Sequence, residues 1–172
     1  MTRSRGTEVC SFFAPGIPRP KGNLSAVPIG KPHMVAGGRR AWEFRHLAVK
    51  EDPKRDKLLR PWMRAVQAAA LQHRPSTPLT GPVEVRVVFY FEKPKKPTCA
   101  GWPLGREGDV DKYQRAIGDA LEQVGMFKND KQICRWVAEK RFGEPGAQIT
   151  VLALEAEPEQ LELAARRDEQ PY

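Results

Sequence analysis

Three aspartates set the chemical problem. Asp109 and Asp111 flank Val110, where a Pro/Gly-rich basic stretch gives way to a helical pattern, and Asp130 follows Asp109 by 21 positions in a turn. Carboxylates at two such junctions converge on one point if the helix packs beside the following strands. Clustered carboxylates repel and raise each other's pKa unless a cation joins them. The cation suited to them is Mg²⁺, a hard ion that prefers carboxylate oxygen and water, with Mn²⁺ as a substitute. Arg115 lies one turn after Asp111 on the same face, placed for an i,i+4 ion pair or for a clamp on phosphate charge in a transition state. Asp119, a further turn on, ranks below these as a supporting carboxylate. Plain structural readings stand beside the chemical ones. Asp109 suits a helix N-cap, Asp111 a first-turn carboxylate favoured by the dipole, and Asp130 a turn. Asp-x-Asp alone is a weak motif and leaves the choice open.

The charge around these aspartates narrows the partner. The 172 residues hold 29 Lys+Arg and 21 Asp+Glu, a net +8. Residues 155–172 carry six acidic and two basic side chains, so residues 1–154 carry 27 basic and 15 acidic ones, a body of +12 and a tail of −4. A body this basic points to a polyanion, most often nucleic acid. There is no apolar run long enough to span a membrane and no secretory h-region, which gives the expectation of a cytoplasmic protein with no membrane partner. Cys10, Cys99 and Cys134 form neither a zinc signature nor a disulfide framework, in keeping with a reducing compartment. His33, His46 and His73 share no ligand spacing with them.

The elements that must hold the aspartates follow from periodicity. Residues 9–14 read as a strand stopped by Pro15-Gly16. The span 17–40 carries Pro18, Pro20, Pro28 and Pro32 and cannot be a continuous helix. It reads as a loop with a short hairpin before residues 41–44. A helix is expected over 56–72, with Leu59, Trp62, Val66, Ala69 and Ala70 on one stripe. Pro61 is acceptable only in a first turn, which moves the expected start toward Leu59. Residues 83–92 alternate and then become continuously apolar, as a central strand does. A loop over 93–108 follows, and then a helix over 110–124 with Tyr113, Ile117, Ala120, Leu121 and Val124 as its stripe. Residues 132–141 and 148–156 read as strands joined by a hairpin turn at Gly143-Glu144-Pro145-Gly146. The expected fold is α+β: one domain over 1–156, a mixed β-sheet against two main helices, and an acidic tail over 157–172.

Gly-Asp-Val-Asp-Lys-Tyr-Gln-Arg-Ala-Ile-Gly-Asp-Ala-Leu (108–121), Asn-Asp-Lys-Gln-Ile (129–133) and a strand ending in Glu139-Lys140 together resemble the signature of RusA-like Holliday junction resolvases. Ala-Pro-Gly-Ile-Pro-Arg-Pro-Lys-Gly (14–22) resembles that family's opening strand and turn, so the likeness covers roughly 9–155. The resemblance implies a homodimeric, Mg²⁺-dependent endonuclease that nicks four-way DNA junctions symmetrically in recombination and repair, in a chromosomal, prophage or bacteriophage setting. It implies Asp109, Asp111 and Asp130 as metal-binding carboxylates. Arg115 falls where the family commonly has a catalytic lysine; the charge is kept and the donor geometry changes. Asn129 falls where many members have another acidic residue, and Lys112 where some have Asn.

Around that centre the candidate DNA contacts are Lys21, Arg39, Arg40, Lys93, Lys95, Lys96, Arg106 and Lys112. Trp102 and Phe127 are candidates to stack or wedge at a branch point, with ordinary packing as the alternative. Two other readings stand beside the resolvase. One is a branched-DNA-binding protein without activity. The other is a glycosyltransferase-like use of Asp-x-Asp, disfavoured because no nucleotide-binding βαβ pattern precedes the motif.

Overall fold

The computed structural model describes residues 6–22, 25–50, 53–104 and 108–155. Four strands, Gly6–Pro15 (β1), Val83–Phe91 (β4), Ile133–Phe142 (β5) and Gly146–Leu154 (β6), form one sheet in the order β1-β6-β4-β5. β4 runs parallel to β5 and antiparallel to β6, which is in turn antiparallel to β1. The helices Pro53–Leu71 (α1) and Val110–Gln123 (α2) cover one face. The expected α+β fold, a mixed sheet against two helices, is what the chain adopts.

β4 explains the arrangement. Its Val83, Val85, Val87, Phe89 and Phe91 are all buried beneath the helices. They meet Leu59, Trp62, Val66 and Ala70 of α1 and Tyr113, Ala116, Ile117, Ala120 and Leu121 of α2 in one core. β6 adds Ala147, Ile149 and Val151, and β1 adds Phe12 and Ala14. Each large apolar side chain so buried contributes about 1.5–3 kcal/mol, enough to fix α2 on the sheet and so fix the aspartates it carries.

Three expectations need correction. Residues 143–146 do not close a hairpin: β5 and β6 are never neighbours, because β4 lies between them. Gly143 N instead donates to Phe91 O at 2.9 Å, and the link crosses the end of β4. α1 starts at Pro53, and Pro61 lies within it. The cost is the one hydrogen bond Pro61 cannot donate, and its ring faces solvent while Leu59, Trp62 and Val66 hold the helix to the sheet.

The third correction is the largest. Residues 17–22 carry no regular structure, as expected, but from Ser25 on the chain is not a loop with a short hairpin. Ser25–Val35 (β2) and Arg39–Lys50 (β3) pair along their whole length as a separate antiparallel two-stranded sheet. Pro28 and Pro32 are compatible with it because each strand of a lone pair has an outer edge where a missing N–H is not needed.

Candidate active site

α2 ends in a way that aims the next segment. Gly125 has φ +72°, Gly125 N donates to Glu122 O at 2.8 Å and Met126 N to Leu121 O at 3.0 Å. This is a Schellman stop, and a side chain at that φ would be strained. Met126 and Phe127 then sink into the core, and the chain emerges at Asn129 and Asp130, just before β5. α2 runs back along β5: Lys140 Nζ, near the far end of the strand, donates to Gly108 O at 3.3 Å, while Gly118 abuts Ile133 and Trp136.

One open cleft of about 470 Å³ results. Asp111, Gln114, Arg115, Gly118 and Asp119 of α2 form one wall, and Asp130, Ile133 and Trp136 the other. Lys21 enters from the segment after β1. That segment is tied to α2 by Lys21 N donating to Lys112 O at 3.0 Å. The Lys21 ammonium pairs with Asp119, both side chains being partly buried. Asp119 therefore places a cation inside the cleft.

The remaining aspartates differ in environment. Asp111 and Arg115 are 3.6 Å apart and both more than half exposed, an arrangement worth little in water and easily exchanged for a ligand. Asp130 is exposed and has no ion-pair partner among the described residues. Asp109 occupies the N-cap position of α2 but makes no capping hydrogen bond. Lys112 binds its carboxylate at 2.8 Å. That hydrogen bond and charge, with the charge of Lys140 beyond, hold Asp109 below the usual carboxylate range. Asp109 does not line the cleft. Among the described residues no three His, Cys, Asp or Glu side chains gather at one point.

The turn bearing Asp130 is fixed by a side chain that the sequence reading did not single out. Gln132 Oε1 accepts Lys128 N at 2.9 Å and Asn129 N at 3.1 Å, and its Nε2 donates to Leu79 O and Gly81 O at 2.9 Å each. Asn129 Oδ1 accepts Lys131 N at 2.9 Å. Asn129 and Gln132 form a capping box around the 3₁₀ turn Asp130–Gln132. The signal was present: an N-cap residue followed three positions later by Gln.

The other predicted contacts are spread out. Lys93, Lys95 and Lys96 are exposed on the loop after β4, Arg39 and Arg40 are exposed on β3, and Arg106 lies outside the described residues. Lys112 is committed to Asp109. Phe127 is 1% exposed in the core, so it cannot serve as a wedge. Trp102 is 45% exposed and lies under the Arg141 guanidinium at 4.1 Å, a cation–π contact that pins its loop to β5. No described helix is long and apolar enough to cross a membrane.

Comparison with known proteins agrees with the geometry. Residues 33–152 match the family model described as Endodeoxyribonuclease RusA. The chain is also 32% identical over 134 residues to the uncharacterized protein YqaN of Bacillus subtilis strain 168, covering 71% of this chain and 92% of that one. The match spans both walls of the cleft, β4 and the ribbon's second strand, and on it the chain belongs to the RusA endodeoxyribonuclease family.

Proposed function

We propose that this protein is a Mg²⁺-dependent nuclease that resolves four-way DNA junctions by paired nicks, acting as a homodimer in the cytoplasm. The observation that carries the reading is the meeting of Asp111 and Asp130, from two separate elements, in a cleft that also holds two cations. Exposed carboxylate oxygens with weak or no protein partners suit a hard divalent ion. Asp111 and Asp130 would hold it, with Asp109 joining from the start of α2. When bound, such an ion lowers the pKa of a coordinated water and stabilises attacking and leaving oxygens.

The chain's own residues supply the rest. Asp111 and Asp130 repel an approaching phosphodiester until their charge is neutralised, which makes cutting conditional on the cation. Arg115 is placed to neutralise a non-bridging oxygen, and Lys21, anchored by Asp119, sits beside the same phosphate. Water attack on phosphorus with departure of the 3′ oxygen leaves a 5′-phosphate and a 3′-hydroxyl, ends that a ligase can rejoin. A two-fold dimer offers two such clefts for strands related by the junction's own symmetry.

The test is a synthetic four-way junction incubated with Mg²⁺, with Mn²⁺ and with EDTA, the product strands being mapped. Paired symmetric nicks that disappear in EDTA are expected, and Asp111→Asn should bind the junction without cutting it. Cleavage by that variant at the wild-type rate would sink the reading. Binding without cleavage by the wild type under every cation would leave the branched-DNA-binding alternative in its place.

A further inference from the structure

No described residue of the β2–β3 ribbon lines the cleft, and its extensive contacts are those between its own two strands. A lone two-stranded ribbon is marginal in water, so a chain that maintains one this long gains from what it touches. Residues 25–50 carry five basic side chains and one acidic one, a net +4.

The register sorts these side chains. Residues opposite each other in an antiparallel pair share a face. Pro32 with Trp42 and Met34 with Arg40 lie on one face; Lys31 with Glu43, His33 with Ala41 and Val35 with Arg39 lie on the other. Arg45 is the extra residue of a bulge, exposed and re-aimed by it. Trp42 is 67% exposed and Met34 64%. The Trp42 ring lies over Gly30, where a Cβ would come 2.9 Å from it and 2.3 Å from Glu43 O. The glycine thus lets the indole lie against the ribbon while its outer face stays open.

We propose that the β2–β3 ribbon is a second DNA-binding element that lies along a duplex branch next to the cleft. Lys31, Arg39, Arg40 and Arg45 take phosphates, and Trp42 makes an apolar contact. The inference rests on the endonuclease reading above. Dimensions support it: the 11 residues of β2 extend about 36 Å, roughly one turn of B-DNA, and a two-stranded ribbon fits the major groove. Ser25 follows Lys21 by four residues, at most about 14 Å of chain, so duplex held at the ribbon's root passes the cleft. Charge also decides against a second copy of the chain as the occupant. Two-fold pairing of ribbons would oppose like-charged arginines with a single glutamate each to offset them.

The experiment is fluorescence anisotropy with a labelled four-way junction and a labelled linear duplex, in EDTA, over a series of salt concentrations. The variants are Arg39→Gln/Arg40→Gln, Lys31→Gln/Arg45→Gln and Trp42→Ala, each confirmed folded by thermal melting. Each double charge variant should bind both DNAs about 10- to 100-fold more weakly at low salt. Its slope of log K against log salt should be shallower by about 2. Trp42→Ala should weaken binding severalfold with the slope unchanged. Wild-type affinity and slope in both charge variants would overturn the proposal. So would a charge variant that loses dimer in gel filtration while keeping its slope, which would assign the ribbon to self-association. Wild-type protein that binds neither DNA would fail earlier, at the endonuclease reading itself.

Discussion

The main sheet and the β2–β3 ribbon solve opposite problems with the same secondary structure. Every strand of the main sheet contributes to one covered face, and its central strand buries five large side chains. The described side chains of the ribbon between Lys31 and Arg40 are all exposed. The first holds groups still: a nuclease needs carboxylates placed to within a fraction of an ångström before the substrate arrives. The second offers surface and charge, and its order depends on its own ladder and on whatever it meets. Precision and reach are thus divided between two sheets joined through the segment that carries Lys21.

That division can be broken most severely at the cleft. Asp130→Asn and Asp111→Asn should each lower Mg²⁺-dependent junction cleavage by about 10⁴-fold, about 5.5 kcal/mol in the barrier. Thermal midpoints should hardly move, because both side chains are exposed. Single-turnover assays on a labelled junction measure the first and melting curves the second. A variant that cuts within tenfold of wild type would remove that aspartate from the site.

Stability separates the two sheets directly. Phe89→Ala, at a side chain with 0% exposure, should cost about 3–5 kcal/mol. Trp42→Ala, a larger deletion on the ribbon, should stay within about 0.5 kcal/mol of wild type. Urea denaturation of both variants gives the comparison. Similar losses would mean that the ribbon is packed against the body after all.

Between these extremes lies Gln132, whose four hydrogen bonds tie the Asp130 turn to residues 79 and 81. Gln132→Ala should cost about 1–3 kcal/mol of stability and lower cleavage about 100-fold. It should also raise the Mg²⁺ concentration needed for half-maximal rate. Gln132→Glu keeps the acceptor but sets a carboxylate against the two carbonyls, so it should not restore the rate. An unchanged Mg²⁺ requirement in Gln132→Ala would reduce the residue to scaffold.

How much of this was legible in the sequence follows from where the physics is local. The stripe Tyr113, Ile117, Ala120, Leu121 placed α2 to within a residue, and the apolar run from Val83 placed the central strand, because both patterns encode burial. The ribbon was not legible because its described side chains from Lys31 to Arg40 are all exposed and impose no alternation, and Pro28 and Pro32 argued for a loop. The false hairpin at 143–146 came from good turn residues, yet turn residues do not say which strand is the neighbour. Pro61 misled because a helix interior tolerates proline when tertiary burial outweighs one lost bond. At the site, Asp111, Asp130, Arg115 and Lys21 were each named from sequence, but their meeting in one cleft needed the fold. The diversion of Asp109 to Lys112 is a three-dimensional competition that spacing cannot rank.

The smallest expected effect tests the main sheet on its uncovered face. Glu84 of β4 is 2% exposed, the one charged side chain among the described residues that is buried. Arg86 bonds one carboxylate oxygen and Arg135 the other, at 2.7 Å for Arg135. Burial alone would push this carboxyl up, but the two guanidinium groups outweigh it and hold Glu84 below its ordinary value of 4.5. A depressed folded pKa stabilises the fold above the ordinary value, and that contribution is lost as pH falls through the lower folded value. Both arginines remain partly exposed, so solvent screens the two pairs and the gain is modest, about 1 kcal/mol. Wild type should therefore exceed Glu84→Gln in urea midpoint near neutral pH, and the gap should close as acid protonates the carboxyl. The ribbon has no buried charge among its described residues, so Glu43→Gln should show no such gap at either pH. A gap for Glu84→Gln that survives acid would mean that the side chain acts by packing alone and that the two arginines add nothing to the stability of the sheet.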